Sequence, residues 1–213
     1  MMRTDDLITM LAKGNVAVED YTAQHRLAMA LGWGLAGTIL MMAFLGIRDD
    51  LAQAMTLPMF WVKLSMPIVA TLAAVHLTRQ VSVPGTLLAR TPEILAALLL
   101  LTLGGAAIGL LSVPFEARSG LVFVGTWQTC ALNIALLSLP LLAASLWAIK
   151  GLAPVRPKLA GASAGLLAGT GAAAVYALHC PEMNAVFLGV WYVLGIAIPT
   201  AAGAALGGRV LRW

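Results

Sequence analysis

Two cysteines carry most of the chemistry that this sequence could perform. Cys130 lies in Trp127-Gln128-Thr129-Cys130, and Cys180 lies in Leu178-His179-Cys180-Pro181-Glu182. Thiols form disulfides in oxidising compartments and ligate soft metals as thiolates. Two cysteines cannot make a multi-bridge framework, but they can make one pair. Three readings fit them. They are buried thiols acting as small apolar residues, a structural disulfide, or a pair that responds to oxidants or binds a thiophilic metal together with His179. The sequence has no GxxxxGK[ST], HExxH, CxxC or paired-carboxylate pattern. The familiar hydrolytic, phosphoryl-transfer and vicinal-thiol mechanisms therefore have no visible parts. The expectation is a protein that is not an enzyme and has no resident cofactor, with transient heavy-metal binding at Cys130 and Cys180 as its metal chemistry.

The elements that position these thiols follow from composition. Of 213 residues, 61% are hydrophobic and 10% charged, with mean hydropathy +0.92. Soluble domains are about 45–50% apolar and about 25% charged, so a soluble enzyme, a disordered chain and a nucleic-acid module are excluded. The net charge of +4 implies no polyanionic partner and no direct contact with nucleic acid. Six apolar stretches stand out: Leu27–Leu45, Leu57–Leu77, Ile94–Val113, Leu121–Ile149, Leu159–Leu178 and Val186–Leu206. Most have the length of about 20 residues that a helix needs to cross a bilayer. Their hydrophobicity does not alternate as barrel strands do. The expected fold is an all-α membrane protein of six transmembrane helices joined by short loops. Residues 1–26 form an N-terminal tail and 27–213 the transmembrane domain. The first span itself must direct insertion.

Charge sets the orientation. Ten lysines and arginines fall in the N-tail, the loops after spans two and four, and the C-tail; only Arg48 and Arg118 fall on the other side. Both termini should therefore be cytoplasmic, in a bacterial inner membrane. The fourth stretch has 29 residues, and Pro140 within it should kink it. Counted from the outer loop, Cys130 lies about 15 Å deep. Counted back from Lys150, it lies near the outer boundary, level with Cys180.

Other residues read more simply. Lys63, inside span two, is expected to snorkel outward beside Trp61, or to pair with Glu116 or Asp49. His76 is an interfacial residue. Gly161, Gly165 and Gly169 recur every four residues in span five, and Gly203 and Gly207 lie in span six. Such faces let helices approach, within the chain or across a homodimer. In the tail, Thr4-Asp5-Asp6 reads as an N-cap with acids in the first turn. Leu7, Ile8, Met10 and Leu11 form an apolar stripe that ends at Gly14-Asn15. Asp5, Asp6, Glu19 and Asp20 outnumber Arg3 and Lys13, so an anionic leaflet would repel the segment. A helix docking on a partner with a basic rim and an apolar groove reads better than one lying on the membrane.

Together these pieces resemble the NrsF family, membrane-embedded anti-sigma factors that regulate an extracytoplasmic-function sigma factor negatively. The residues that carry the resemblance span nearly the whole chain. They are Thr4-Asp5-Asp6-Leu7-Ile8 with Leu11-Ala12, Phe60-Trp61-Val62-Lys63, Trp127-Gln128-Thr129-Cys130, Arg156-Pro157, Leu159-Ala160-Gly161, Ala177-Leu178-His179-Cys180-Pro181-Glu182, Trp191-Tyr192 and Leu211-Arg212-Trp213. The Leu-His-Cys-Pro-Glu block with its downstream Trp-Tyr is the most specific part. The resemblance implies a cytoplasmic tail that holds the sigma factor away from polymerase through Asp5, Asp6, Leu7, Ile8 and Leu11. It also implies that Cys130 and Cys180 report metal or oxidative stress and release the partner. Two rivals belong to other classes. A small transporter or accessory protein would need a polar path, and mid-membrane positions offer only Ser, Thr, Asn133 and Gln128. A membrane thiol oxidoreductase would normally carry a vicinal CxxC and a shuttle pair or bound quinone.

Overall fold

The computed structural model describes residues 4, 6, 8, 9, 20–83 and 90–212. Among them there is no strand, and six helices are long and apolar enough to cross a membrane: Gln24–Leu45, Pro58–Ser82, Thr91–Leu111, Phe115–Lys150, Pro157–Tyr176 and Ala185–Val210. They match the six expected spans in order. Local sequence explains their ends. The second, third and fifth helices carry a proline in the first turn, where its missing N–H costs nothing. The first helix ends at Gly46, whose φ of +81° lets its N–H return to the Met42 carbonyl at 3.0 Å. The first helix is continuous from Asp20, so no helix break falls at the expected boundary after residue 26.

The fourth stretch differs from the single kinked helix expected. It is three helical pieces: Phe115–Val122, Trp127–Leu137 and Leu139–Lys150. Gly125, at φ +48°, makes the first break in a conformation that L side chains rarely adopt. The second break, at Ser138, precedes Pro140, whose ring cannot continue the turn before it. Thr38 of the first helix places its hydroxyl 3.1 Å from the Leu137 carbonyl at this break.

The helices bury two apolar clusters, one at each end. At the end near the termini, Leu27, Leu141, Leu146, Ile149, Ala160, Ala164 and Leu211 pack together. At the other end the cluster contains Met42, Cys130, Ile134, Tyr176, Cys180, Phe187 and Tyr192. The fifth helix is the most buried span and the third the least. The glycine face of the fifth helix packs within the chain. Gly161 meets the Gly203 and Gly207 backbone, and Gly165 meets Pro199 and Thr200. No Cβ fits there, so backbone lies on backbone, as membrane helices associate through van der Waals contact. The sixth helix begins at Ala185 and opens into one π turn, Leu188–Tyr192, before continuing as Val193–Val210. Such turns recur at functional sites.

Candidate functional site

The break at Gly125 sets where Cys130 falls along its helix. The helix that carries it starts at Trp127, so Cys130 is its fourth residue, with its N–H on the Thr126 carbonyl at 3.0 Å. Cys180 follows the fifth helix, and its N–H caps the Tyr176 carbonyl at 3.0 Å. The two thiols are free and fully buried, and they belong to one apolar cluster. The Thr126 hydroxyl lies 3.9 Å from the Cys180 sulfur. The neighbouring Cys130 and the charge of Lys63 hold the Cys180 thiol below its ordinary pKa, against the opposing effect of burial.

Lys63 corrects the sequence reading. It does not snorkel, and it pairs with neither Glu116 nor Asp49. Its side chain is 2% exposed, and its ammonium donates to the Cys180 backbone carbonyl at 2.5 Å. It also sits 5.6 Å from the centroid of the Tyr192 ring, a cation–π distance. The physical reason lies on a distant segment. The carbonyl at Cys180, past the end of the fifth helix, has no intrahelical partner. It offers the ammonium a buried acceptor, which outward reach to solvent would forgo. An ionisable residue inside a span is a functional candidate by default, and that rule was the signal that could have found Lys63.

His179 also departs from expectation. Its Nδ1 lies 2.8 Å from the Gly46 carbonyl, and its ring lies tilted against Tyr176 with centroids 5.5 Å apart. A carbonyl can only accept, so Nδ1 carries the proton. Among the described residues no three His, Cys, Asp or Glu side chains gather as a metal site. The expected site of both cysteines with His179 is therefore not assembled, and the two thiols are the soft ligands that stand together.

The Cys180 segment is thereby fastened to the end of the first helix. Besides the His179 bond, the Arg48 N–H meets the Leu178 carbonyl and the Arg48 guanidinium meets the Pro181 carbonyl, both at 3.4 Å. Arg48 forks onto Asp50 with two contacts of 2.6 Å. That pair raises the Arg48 pKa and lowers the Asp50 carboxyl. An aromatic cluster braces the other side. Trp127 packs on Phe123 and Trp191 at 5.1 and 5.5 Å, and the Trp191 indole donates to the Val122 carbonyl at 2.8 Å. Sequence reading missed Tyr176 and the Arg48 contacts, and treated Tyr192 only as part of a motif.

Of the tail residues expected to bind a partner, Asp6 and Ile8 are helical and exposed. Asp5, Leu7 and Leu11 lie outside the described residues. Chemically, the arrangement can form a disulfide or bridge a soft metal between two helices, next to a fixed cation.

Comparison with known proteins agrees over the whole chain. A family model described as NrsF, negative regulator of sigma F, matches residues 11–213. The chain is 50% identical over 217 residues to the probable anti-sigma-F factor NrsF of Azospira oryzae. It is 38% identical over 215 residues to the anti-sigma-F factor NrsF of Caulobacter vibrioides. In both cases the alignment covers 100% of each protein. No solved structure matches significantly.

Proposed function

The chain belongs to the NrsF family of negative regulators of sigma F, and on that premise we propose that it is an anti-sigma factor embedded in the bacterial inner membrane. Its partner is a sigma factor of the extracytoplasmic-function class, held by the N-terminal segment through Asp5, Asp6, Leu7, Ile8 and Leu11. Both termini face the cytoplasm. Two observations support this orientation: the ten-to-two split of basic residues, and the gathering of Leu27, Ile149, Ala160 and Leu211 at one end of the bundle. The cysteines, at the other end, face the outside, where metals and oxidants first arrive.

One observation carries the mechanism. The Cys180 segment is hydrogen-bonded to the end of the first helix, and that helix runs unbroken back to Asp20, inside the N-terminal segment of residues 1–26. Joining Cys130 to Cys180, by a disulfide or a shared soft metal, would shift the Cys180 segment. The shift would pass through Gly46 and Arg48 into the first helix and weaken the hold of the segment beyond it. Full release is demanding: moving a partner from 99% bound to 1% takes about 5.5 kcal/mol of differential affinity. A disulfide supplies about 2–4 kcal/mol and a metal bridge more, so the chemistry is on the right scale. Docking is tested by co-purifying the sigma factor with the full chain and with a variant lacking residues 1–26. The truncated chain should capture none. Retention at the wild-type level would overturn the docking assignment.

A further inference from the structure

A cavity of about 550 Å³ lies between the second, third, fifth and sixth helices. It exists because the third helix touches its neighbours mainly near its two ends. At one end Thr91 approaches His76 and Gln80; at the other, Ala106 meets Gly189 and Gly109 meets Val186. Between these attachments the wall is apolar, with Met66, Leu98, Leu166 and Ile196 among its residues. Its polar end is formed by Lys63 and Tyr192. Both are more than nine-tenths buried. The Tyr192 hydroxyl is buried without a hydrogen-bond partner, and Tyr192 shares a buried cluster with Cys180. Lys63 and Tyr192 are thus the partition between the cavity and the thiol pair. The thiols themselves are fully buried, so the cavity gives a molecule dissolved in the bilayer a short approach to them.

The occupant that fits is apolar along most of its length and carries a small hydrogen-bond acceptor at one end. A phospholipid carries a large charged head, which would lose its hydration at an end formed by two buried side chains. We propose that the cavity binds a lipid-soluble quinone, with a ring carbonyl toward Lys63 and Tyr192, and that this quinone is the oxidant of the Cys130–Cys180 pair. The inference rests on reading the pair as the sensor. The step balances. The two S–H bonds break and one S–S bond forms between the Cys130 and Cys180 sulfurs. Two electrons and two protons pass to the quinone, which leaves as hydroquinone. Donors fixed at the ring oxygen stabilise the charge that develops there.

The test uses the full chain, reduced, in anaerobic nanodiscs, with decyl-ubiquinone as probe. Free thiols are counted by maleimide labelling after denaturation, and hydroquinone is followed by absorbance. The expected result is one quinone reduced per thiol pair lost. Lys63→Met should slow the reaction at least tenfold. Gly105→Phe should do the same with the partition intact; Gly105 lines the cavity, and a side chain there meets open space. Diamide, a small water-soluble thiol oxidant, should join the pair in all three proteins. Intact thiols under quinone, with diamide still effective, would overturn the inference and assign the cavity to an acyl chain. An unchanged rate in Gly105→Phe overturns it too, as does failure of both agents to join the pair. Release of the sigma factor by diamide or heavy metal alone would leave the cysteine sensor standing and remove only the quinone.

Discussion

Replacing His179 by phenylalanine separates the Cys180 segment from the first helix while keeping the ring against Tyr176. The lost contact is one hydrogen bond of 2.8 Å, half-buried, to the Gly46 carbonyl. Such a bond contributes about 1 kcal/mol net; the exposed side of Gly46 lets water recover part of it. Stability should therefore fall slightly, by about 2–4 °C in Tm for a chain of this size. The effect on signalling should be clearer. If the Cys180 segment drives the first helix through this bond and the two Arg48 contacts, losing about 1 kcal/mol of coupling lowers the ratio of sigma affinities, reduced over oxidised, about fivefold. The assay is titration of the sigma factor onto the nanodisc-embedded protein, with and without diamide, for wild type and His179→Phe. A variant with lowered Tm and an unchanged affinity ratio would refute this route across the membrane.

Three further outcomes follow from the geometry. Gly161→Val should destabilise the protein by several kcal/mol, because its side chain meets the Gly203 and Gly207 backbone, which cannot yield as a flexible side chain would; thermal size-exclusion profiles in detergent would report it. Gly125→Ala should cost about 1 kcal/mol or more, from its φ of +48° and from collision with the Glu182 carboxylate, and should raise maleimide labelling of Cys180 by loosening the turn above it. The third concerns pH. The Asp50 carboxyl is lowered by its hydrogen bond to Arg48, so the contribution of this pair is present above the ordinary carboxylate pKa and is lost as pH falls through the lowered value. Because Asp50 is exposed, the Tm difference between wild type and Asp50→Asn should be small at pH 7 and vanish in strong acid.

The spans were legible because each is a run of about 20 apolar residues, and a bilayer admits few other structures. The nearness of Cys130 and Cys180 was legible only in part: one count of helix length put them level, and the other put Cys130 about 15 Å deep. What escaped the sequence was set by partners far along the chain. Lys63 was read from its own helix, where snorkelling is the natural expectation. Its actual acceptor is the carbonyl at Cys180, 117 residues away. His179 was read as a neighbour of Cys180, yet its Nδ1 belongs to Gly46, 133 residues earlier. The break at Gly125 was missed because a glycine within an apolar run looks like a packing residue until its φ is known. The glycine face of span five, open between an internal and an intermolecular role, is occupied by the sixth helix; only the three-dimensional arrangement could assign it.

On the function proposed above, chemistry at two buried thiols controls the hold on a sigma factor at the far side of the membrane. The most direct measurement of this control is the fraction of sigma factor retained by nanodiscs carrying the full chain before and after diamide, for wild type and for the Cys130→Ser, Cys180→Ser double variant. The wild type should release the sigma factor, and the double variant should retain it fully. Equal release from both would contradict it.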